Sequence, residues 1–178
     1  MKIFFKSFFL FLFVILFFGC DDIQTKNEVK QDIYIRQNIY EYFQATNEKI
    51  DNTFNRKKFY IPAYSHIYIS ENNYVKLSIS LSIRNTDSTK DLYVESIDYY
   101  NTEGKLVKQY LSQPHVLKPM ATIDYVITLE DMTGGNGAKF LVNVATKNKT
   151  SLPIIQAIMT NTFGNSYLSF LTEGHIVE

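Results

Sequence analysis

From residue 74 to residue 83 apolar and polar side chains alternate without a break: Val75, Leu77, Ile79, Leu81 and Ile83 are separated by Lys76, Ser78, Ser80 and Ser82. A period of two puts the apolar set on one face of an extended chain, as in a strand with one buried side. Asn85-Thr86-Asp87-Ser88-Thr89 follows, a cluster of short polar side chains that bond to nearby backbone and favour a turn. Residues 92–100 and 106–111, joined by Asn101-Thr102-Glu103-Gly104, read as a β-hairpin. Pro114 and Pro119 bracket a short extended segment, and residues 122–129 alternate again, with Ile123, Tyr125, Ile127 and Leu129 on one face. Gly134-Gly135-Asn136-Gly137 turns the chain into residues 140–144, and residues 154–159 and 168–177 supply the last strands. An earlier strand is expected over residues 60–69, projecting Tyr64, His66 and Tyr68 from one face and Ser65, Ile67 and Ile69 from the other. About seven to nine short strands with recurring turns and no βα repeats indicate an all-β fold, an antiparallel β-sandwich.

The pattern changes ahead of this domain, which is assigned to residues 59–178. Ile39, Tyr42, Phe43, Ile50 and Phe54 fall roughly on one helical face, so residues 38–58 are expected to form a short amphipathic helix or an irregular arm. Residues 20–37 are mostly polar and read as a tether, and the 17 residues after Cys20 reach about 55–60 Å when fully extended. Residues 1–19 are different again: eight of the 14 Phe lie in the first 18 residues, whereas every Tyr lies at position 34 or later. Lys2 and Lys6 precede an apolar run that ends at Gly19-Cys20-Asp21-Asp22, the layout of a secretory signal peptide. The run is shorter than the roughly 20 residues that span a membrane. Phe17 and Phe18 are too bulky for cleavage of the A-x-A kind, and Gly19-Cys20 resembles the lipobox of bacterial lipoproteins. In that resemblance Cys20 becomes the acylated N-terminus of the mature chain and anchors it durably to a membrane. Cys20 is the single cysteine, so no internal disulfide can form and stability must come from core and sheet.

Charge narrows the partners. Removing Lys2 and Lys6 with the leader leaves 16 basic residues against 18 acidic ones, without the basic footprint of a nucleic-acid binder. His66, His115 and His175 are far apart in sequence and no H-E-x-x-H or C-x-x-C spacing occurs, so no metal or other cofactor is expected. The glycine run at 134–137 misses the phosphate-loop spacing and leads into a strand, so it reads as a tight loop, with Asp131 capping the turn or acting as a functional carboxylate beside it. No G-x-S-x-G elbow appears. Glu95 and Asp98, three apart in a strand, are expected on opposite faces, poor geometry for paired carboxylates.

Several blocks in order resemble a family of bacterial lipoproteins of unknown function: Tyr60-Ile61-Pro62-Ala63-Tyr64-Ser65-His66-Ile67-Tyr68, Leu81-Ser82-Ile83-Arg84-Asn85-Thr86-Asp87, Tyr99-Tyr100 with Gly104-Lys105-Leu106-Val107, Leu117-Lys118-Pro119, Gly134-Gly135-Asn136-Gly137-Ala138-Lys139-Phe140-Leu141-Val142, and Glu173-Gly174. The resemblance implies a lipid-anchored, immunoglobulin-like sandwich in the bacterial cell envelope, at the inner or the outer membrane, and implies no activity. The matching polar residues to weigh are Tyr64, His66, Arg84, Asp87, Tyr100 and Asp131, either a site or turn residues that define the fold. Three functions follow: a non-catalytic binding or adaptor module facing an envelope protein or a glycan, a hydrolase pairing His66 with Asp87 or Asp131, or a spacer at the membrane.

Overall fold

The computed structural model describes residues 39–147, 151–163 and 166–178. The leader, Cys20 and the tether lie outside the described residues. In chain order the strands are β1 (Phe43–Ala45), β2 (Phe54–Ala63), β3 (His66–Ser70), β4 (Asn73–Lys76), β5 (Ser78–Arg84), β6 (Leu92–Tyr100) and β7 (Leu106–Gln109). They continue as β8 (His115–Leu117), β9 (Thr122–Ile127), β10 (Ala138–Lys147), β11 (Ile154–Phe163), β12 (Ser166–Glu173) and β13 (His175–Ile176). One sheet is ordered β1-β8-β6-β10-β2-β13, with β7 also on β6, and a second is ordered β12-β11-β5-β9. Every pairing is antiparallel. The fold is the expected all-β sandwich, immunoglobulin-like, with β3 and β4 forming a separate hairpin.

The alternation predicts which side chains meet. Ile61, Val94, Ile97, Phe140 and Val142 of the larger sheet and Ile79, Leu81, Ile83, Ala157 and Met159 of the smaller are fully buried. Each large one contributes about 1.5–3 kcal/mol by leaving water, which is how a domain without a disulfide holds together.

Two expected strands are each broken in two. Ser65, buried, donates its backbone N–H to Gly135 O (3.0 Å) and accepts from Leu77 N–H (2.9 Å). Those bonds leave the sheet ladders, so residues 60–69 split into β2 and β3, and residues 74–83 into β4 and β5. A second correction concerns Glu95. The register of β6 on β10 shifts between Asn143 and Val144, pairing Ser96 with Asn143 and Val94 with Val144. Glu95 is the extra residue of a β-bulge, which resets the alternation. Val94 and Ile97 both point into the core, and Glu95 and Asp98 share the outward face instead of opposing ones: Glu95 pairs with Arg56 (3.2 Å), while Asp98 accepts from Ser96 Oγ (3.1 Å).

Of the two forms expected for residues 38–58, a helix or an irregular arm, the described residues form the arm. Among the described residues helical geometry covers 39–42, and β1 follows at once. Phe43 is buried and stacks on His115, ring centroids 4.7 Å apart. Backbone bonds from Lys118 N to Tyr42 O and from Thr46 N to Pro114 O, both 2.9 Å, complete the edge. Pairing with an open sheet edge thus wins over helical periodicity. Beyond β1, Tyr93 Oη donates to Glu48 (2.7 Å), which also pairs with Lys147, whose ammonium lies over the Phe54 and Tyr93 rings. Those bonds hold the Glu48 carboxyl below its usual range, the Lys147 bond first. Residues Glu41–Glu178 form one compact unit, so the arm from Glu41 onward belongs with the domain.

Candidate functional site

The glycine loop is a clamp. Gly134 O accepts from Thr102 N (2.9 Å) and Thr102 Oγ1 (3.1 Å), and Thr102 Oγ1 accepts from Gly137 N (2.9 Å). Ser65 Oγ also donates to Gly135 O (3.0 Å), and Lys139 Nζ donates to Asn101 O (2.5 Å). Gly135 has φ +75°, a conformation that glycine adopts without strain. The loop therefore ties β2, the β6–β7 turn and the start of β10 together at one end of the sandwich. Asp131 caps the loop, accepting from Thr133 N (3.0 Å) and Thr133 Oγ1 (2.5 Å). Beneath it lie Tyr99, Tyr110 and Tyr125. Burial, with the Asp131 charge second, raises the Tyr99 hydroxyl above its usual range and pushes Tyr110 up to about 12.

Arg84 and Asp87 sit at the other end. β5 separates them from Ser65 by its whole length of seven residues, about 23 Å at roughly 3.3 Å per residue. Asn85 is the organiser there: its Nδ2 donates to Lys90 O, Leu117 O and Lys118 O, and its Oδ1 accepts from Asp87 N. Asp87 accepts from Thr89 N, Lys90 N and Thr89 Oγ1, and the Thr89 N–H foremost holds its carboxyl below the usual range. Arg84 is exposed at the strand end. Tyr100 lies half-buried on the outward face of the larger sheet, opposite Lys139 and Leu106. The six sequence candidates thus do not converge.

The break at Ser65 also parts Tyr64 from His66. Tyr64 packs toward Phe170, 6.0 Å between centroids. His66 stands on the β3–β4 hairpin with Tyr68 and Tyr74, both 5.2 Å away, and its Nδ1 is buried without a hydrogen-bond partner. Tyr68 and Tyr74 face each other across the hairpin and are 55% and 47% exposed. Tyr74 was not among the sequence candidates; its cue is Glu71-Asn72-Asn73, a turn that puts residues 68 and 74 in register. Among the described residues no carboxylate lies within ion-pair or hydrogen-bond distance of His66, Asp131 is engaged in its own turn, and Asp87 is at the far end, so the His66 acid–base pairing is not formed. No group of three or more His, Cys, Asp or Glu among the described residues is placed to hold a metal ion.

Beside this hairpin are two open clefts. The larger, about 460 Å³, is lined by the Asn72–Lys76 segment, Leu129 and Asn161. The smaller, about 210 Å³, runs over Ser78, Thr160 and Ser169 to Tyr167, and Leu129 and Asn161 line it as well. Sequence reasoning missed this arrangement, because Tyr74 lies about 90 residues before Asn161 and Tyr167 on the β11–β12 hairpin.

No curated protein matches the chain. Among solved structures, the crystal structure of Thermotoga maritima 1070 is similar at a TM-score of 0.40 and 16% identity, over 67% of this chain and 92% of that one. A family profile described as a protein of unknown function (DUF3124) matches residues 56–177. That match runs from β2 to the end of β13 and takes in the clamp, the Asn85 loop and the aromatic hairpin, and it establishes that the chain belongs to the DUF3124 family.

Proposed function

We propose that this protein is a non-catalytic binding or adaptor module, anchored in a bacterial envelope through lipidated Cys20 and presenting the β3–β4 hairpin to an envelope partner. The observation that carries this reading is the pair Tyr68 and Tyr74, held in register beside a cleft with about half their surface in water. Neither ring is needed for the core, and half-exposed aromatic rings are the side chains that dominate binding interfaces. Replacing both with alanine is expected to leave the melting temperature nearly unchanged, since exposed substitutions usually alter stability by about 0.5 kcal/mol or less. A hot-spot pair contributes about 2 kcal/mol or more, roughly 30-fold in affinity. Crosslinking of the tethered protein in the native envelope, quantified by mass spectrometry, should therefore lose its main crosslinks in the double variant. Unchanged crosslinks would remove this face from the proposal.

Anchoring has its own test. Cys20→Ala should move the protein from the membrane pellet to the soluble fraction, because two or more acyl chains hold firmly while none do. Continued pelleting of the variant through a carbonate wash would show that something other than acylation retains it.

A further inference from the structure

The two clefts share Leu129 and Asn161, so they form one groove with an exposed tyrosine at each end, Tyr74 at 47% and Tyr167 at 82%. From Ser78 across Thr160 to Ser169 the strands are paired in register, two strand spacings, about 10 Å. That part alone is as long as about two pyranose rings. Asn161 Nδ2 donates to Lys76 O, fixing the junction of the two clefts before any ligand arrives.

The lining chemistry selects the occupant. Asn73, Asn161, Ser78, Thr160 and Ser169 line the groove with amides and hydroxyls, groups that both donate and accept, the Ser78 and Thr160 hydroxyls already sharing one bond (2.8 Å) that leaves each further capacity. Among the described residues that line the groove Lys76 is the one charged side chain, and Glu130 lies within its electrostatic reach. An anionic ligand would find no cluster of cations. A peptide laid along the groove floor would find no free backbone donors or acceptors there, since β5 and β11 are each paired on both sides; only the edge strands β4 and β12, at its two ends, keep an unpaired side. Sugar hydroxyls also both donate and accept, and the C–H faces of pyranose rings stack on the electron-rich face of a tyrosine ring.

We propose that this groove takes a linear, uncharged oligosaccharide lying from Tyr74 to Tyr167; the inference rests on the binding-module reading and names its ligand class. Calorimetric titration of the full chain in detergent, with uncharged hexasaccharides of glucose and of N-acetylglucosamine as probes, tests it. At least one hexasaccharide should bind, Tyr74→Ala and Tyr167→Ala should each weaken it by about ten-fold or more, and Tyr74→Phe, which keeps the stacking face, should retain binding. Absence of binding up to about 10 mM, binding unaffected by both alanine variants, or binding only of a sulfated oligosaccharide or an unstructured peptide would overturn the proposal. Because both tyrosines are solvent-facing, unchanged melting curves separate lost binding from lost folding. If Tyr68- and Tyr74-dependent crosslinks to a protein persist while no hexasaccharide binds, the module reading stands and the glycan inference falls.

Discussion

Gly134→Ala is expected to destabilise the domain by about 3 kcal/mol, a fall of roughly 10 °C in melting temperature for a unit of this size. A Cβ at Gly134 would lie 1.7 Å from Tyr99 Oη, 2.6 Å from its Cζ and 2.8 Å from the Ala138 Cβ. Tyr99 cannot swing aside: it is 1% exposed and its ring packs on Phe140 at 4.9 Å. The loss is steric rather than conformational, since the left-handed backbone in this loop is at Gly135. Tyr99 Oη is buried with no hydrogen-bond partner, so Tyr99→Phe alone should be close to neutral, because it removes an unsatisfied group. Combined with Gly134→Ala it should recover part of the loss, as the closest clashing atom is gone while Cζ remains. Urea titrations of the two single variants and the double variant would measure a coupling of about 1 kcal/mol or more. A Gly134→Ala midpoint within error of the parent would show that the loop yields, and that the clamp is softer than its hydrogen bonds indicate.

What was legible in the sequence was whatever alternation alone determines. Ile79, Leu81 and Ile83 do line the core, and the hairpin around Asn101-Thr102-Glu103-Gly104 forms, with Gly104 at φ +80°. The β9 and β10 strands follow their apolar faces in the same way. Features set by bonds between distant residues were not legible. Ser65 breaks a strand because its partner is Gly135, 70 positions away. The bulge at Glu95 arises from register against β10, and periodicity within β6 carries no trace of it. Helix and arm stayed open for residues 38–58 because the partner that decides for the arm, β8, lies about 70 residues downstream. Among the site candidates, Asp87 and Asp131 proved to be turn acceptors, the alternative already open for them. His66 kept its aromatic surroundings but exchanged Tyr64 for Tyr74, and the groove between Tyr74 and Tyr167 needed the sheet pairing to become visible.

Asn85 is expected to be the most demanding polar position in the fold, and its aspartate variant should be worse than its alanine variant near neutral pH. Asn85 is 5% exposed and sits where β5 of one sheet meets the end of β8 of the other. Its Nδ2 donates to Lys90 O (2.8 Å), Leu117 O (3.1 Å) and Lys118 O (3.0 Å), and its Oδ1 accepts from Asp87 N (3.1 Å). Asn85→Ala would leave those groups unpaired in a nearly dry setting, costing about 2–4 kcal/mol. Asn85→Asp keeps the shape and the bond from Asp87 but removes both donor protons. A carboxylate would then face three carbonyl oxygens, at a cost of about 4 kcal/mol or more at pH 7. Protonation restores one donor. Burial and the carbonyls both favour the protonated form, so the folded-state pKa of the introduced carboxyl lies above the unfolded value of about 3.9. A group raised in this way adds stability that is fully present below the unfolded pKa and is lost as pH rises through the folded one. The gap in urea midpoint between the parent and Asn85→Asp should therefore widen from pH 4 to pH 7, while the gap for Asn85→Ala stays constant. Parallel pH profiles for the two variants would mean that water reaches the carboxylate, and that the junction between the sheets opens more readily than its four hydrogen bonds imply.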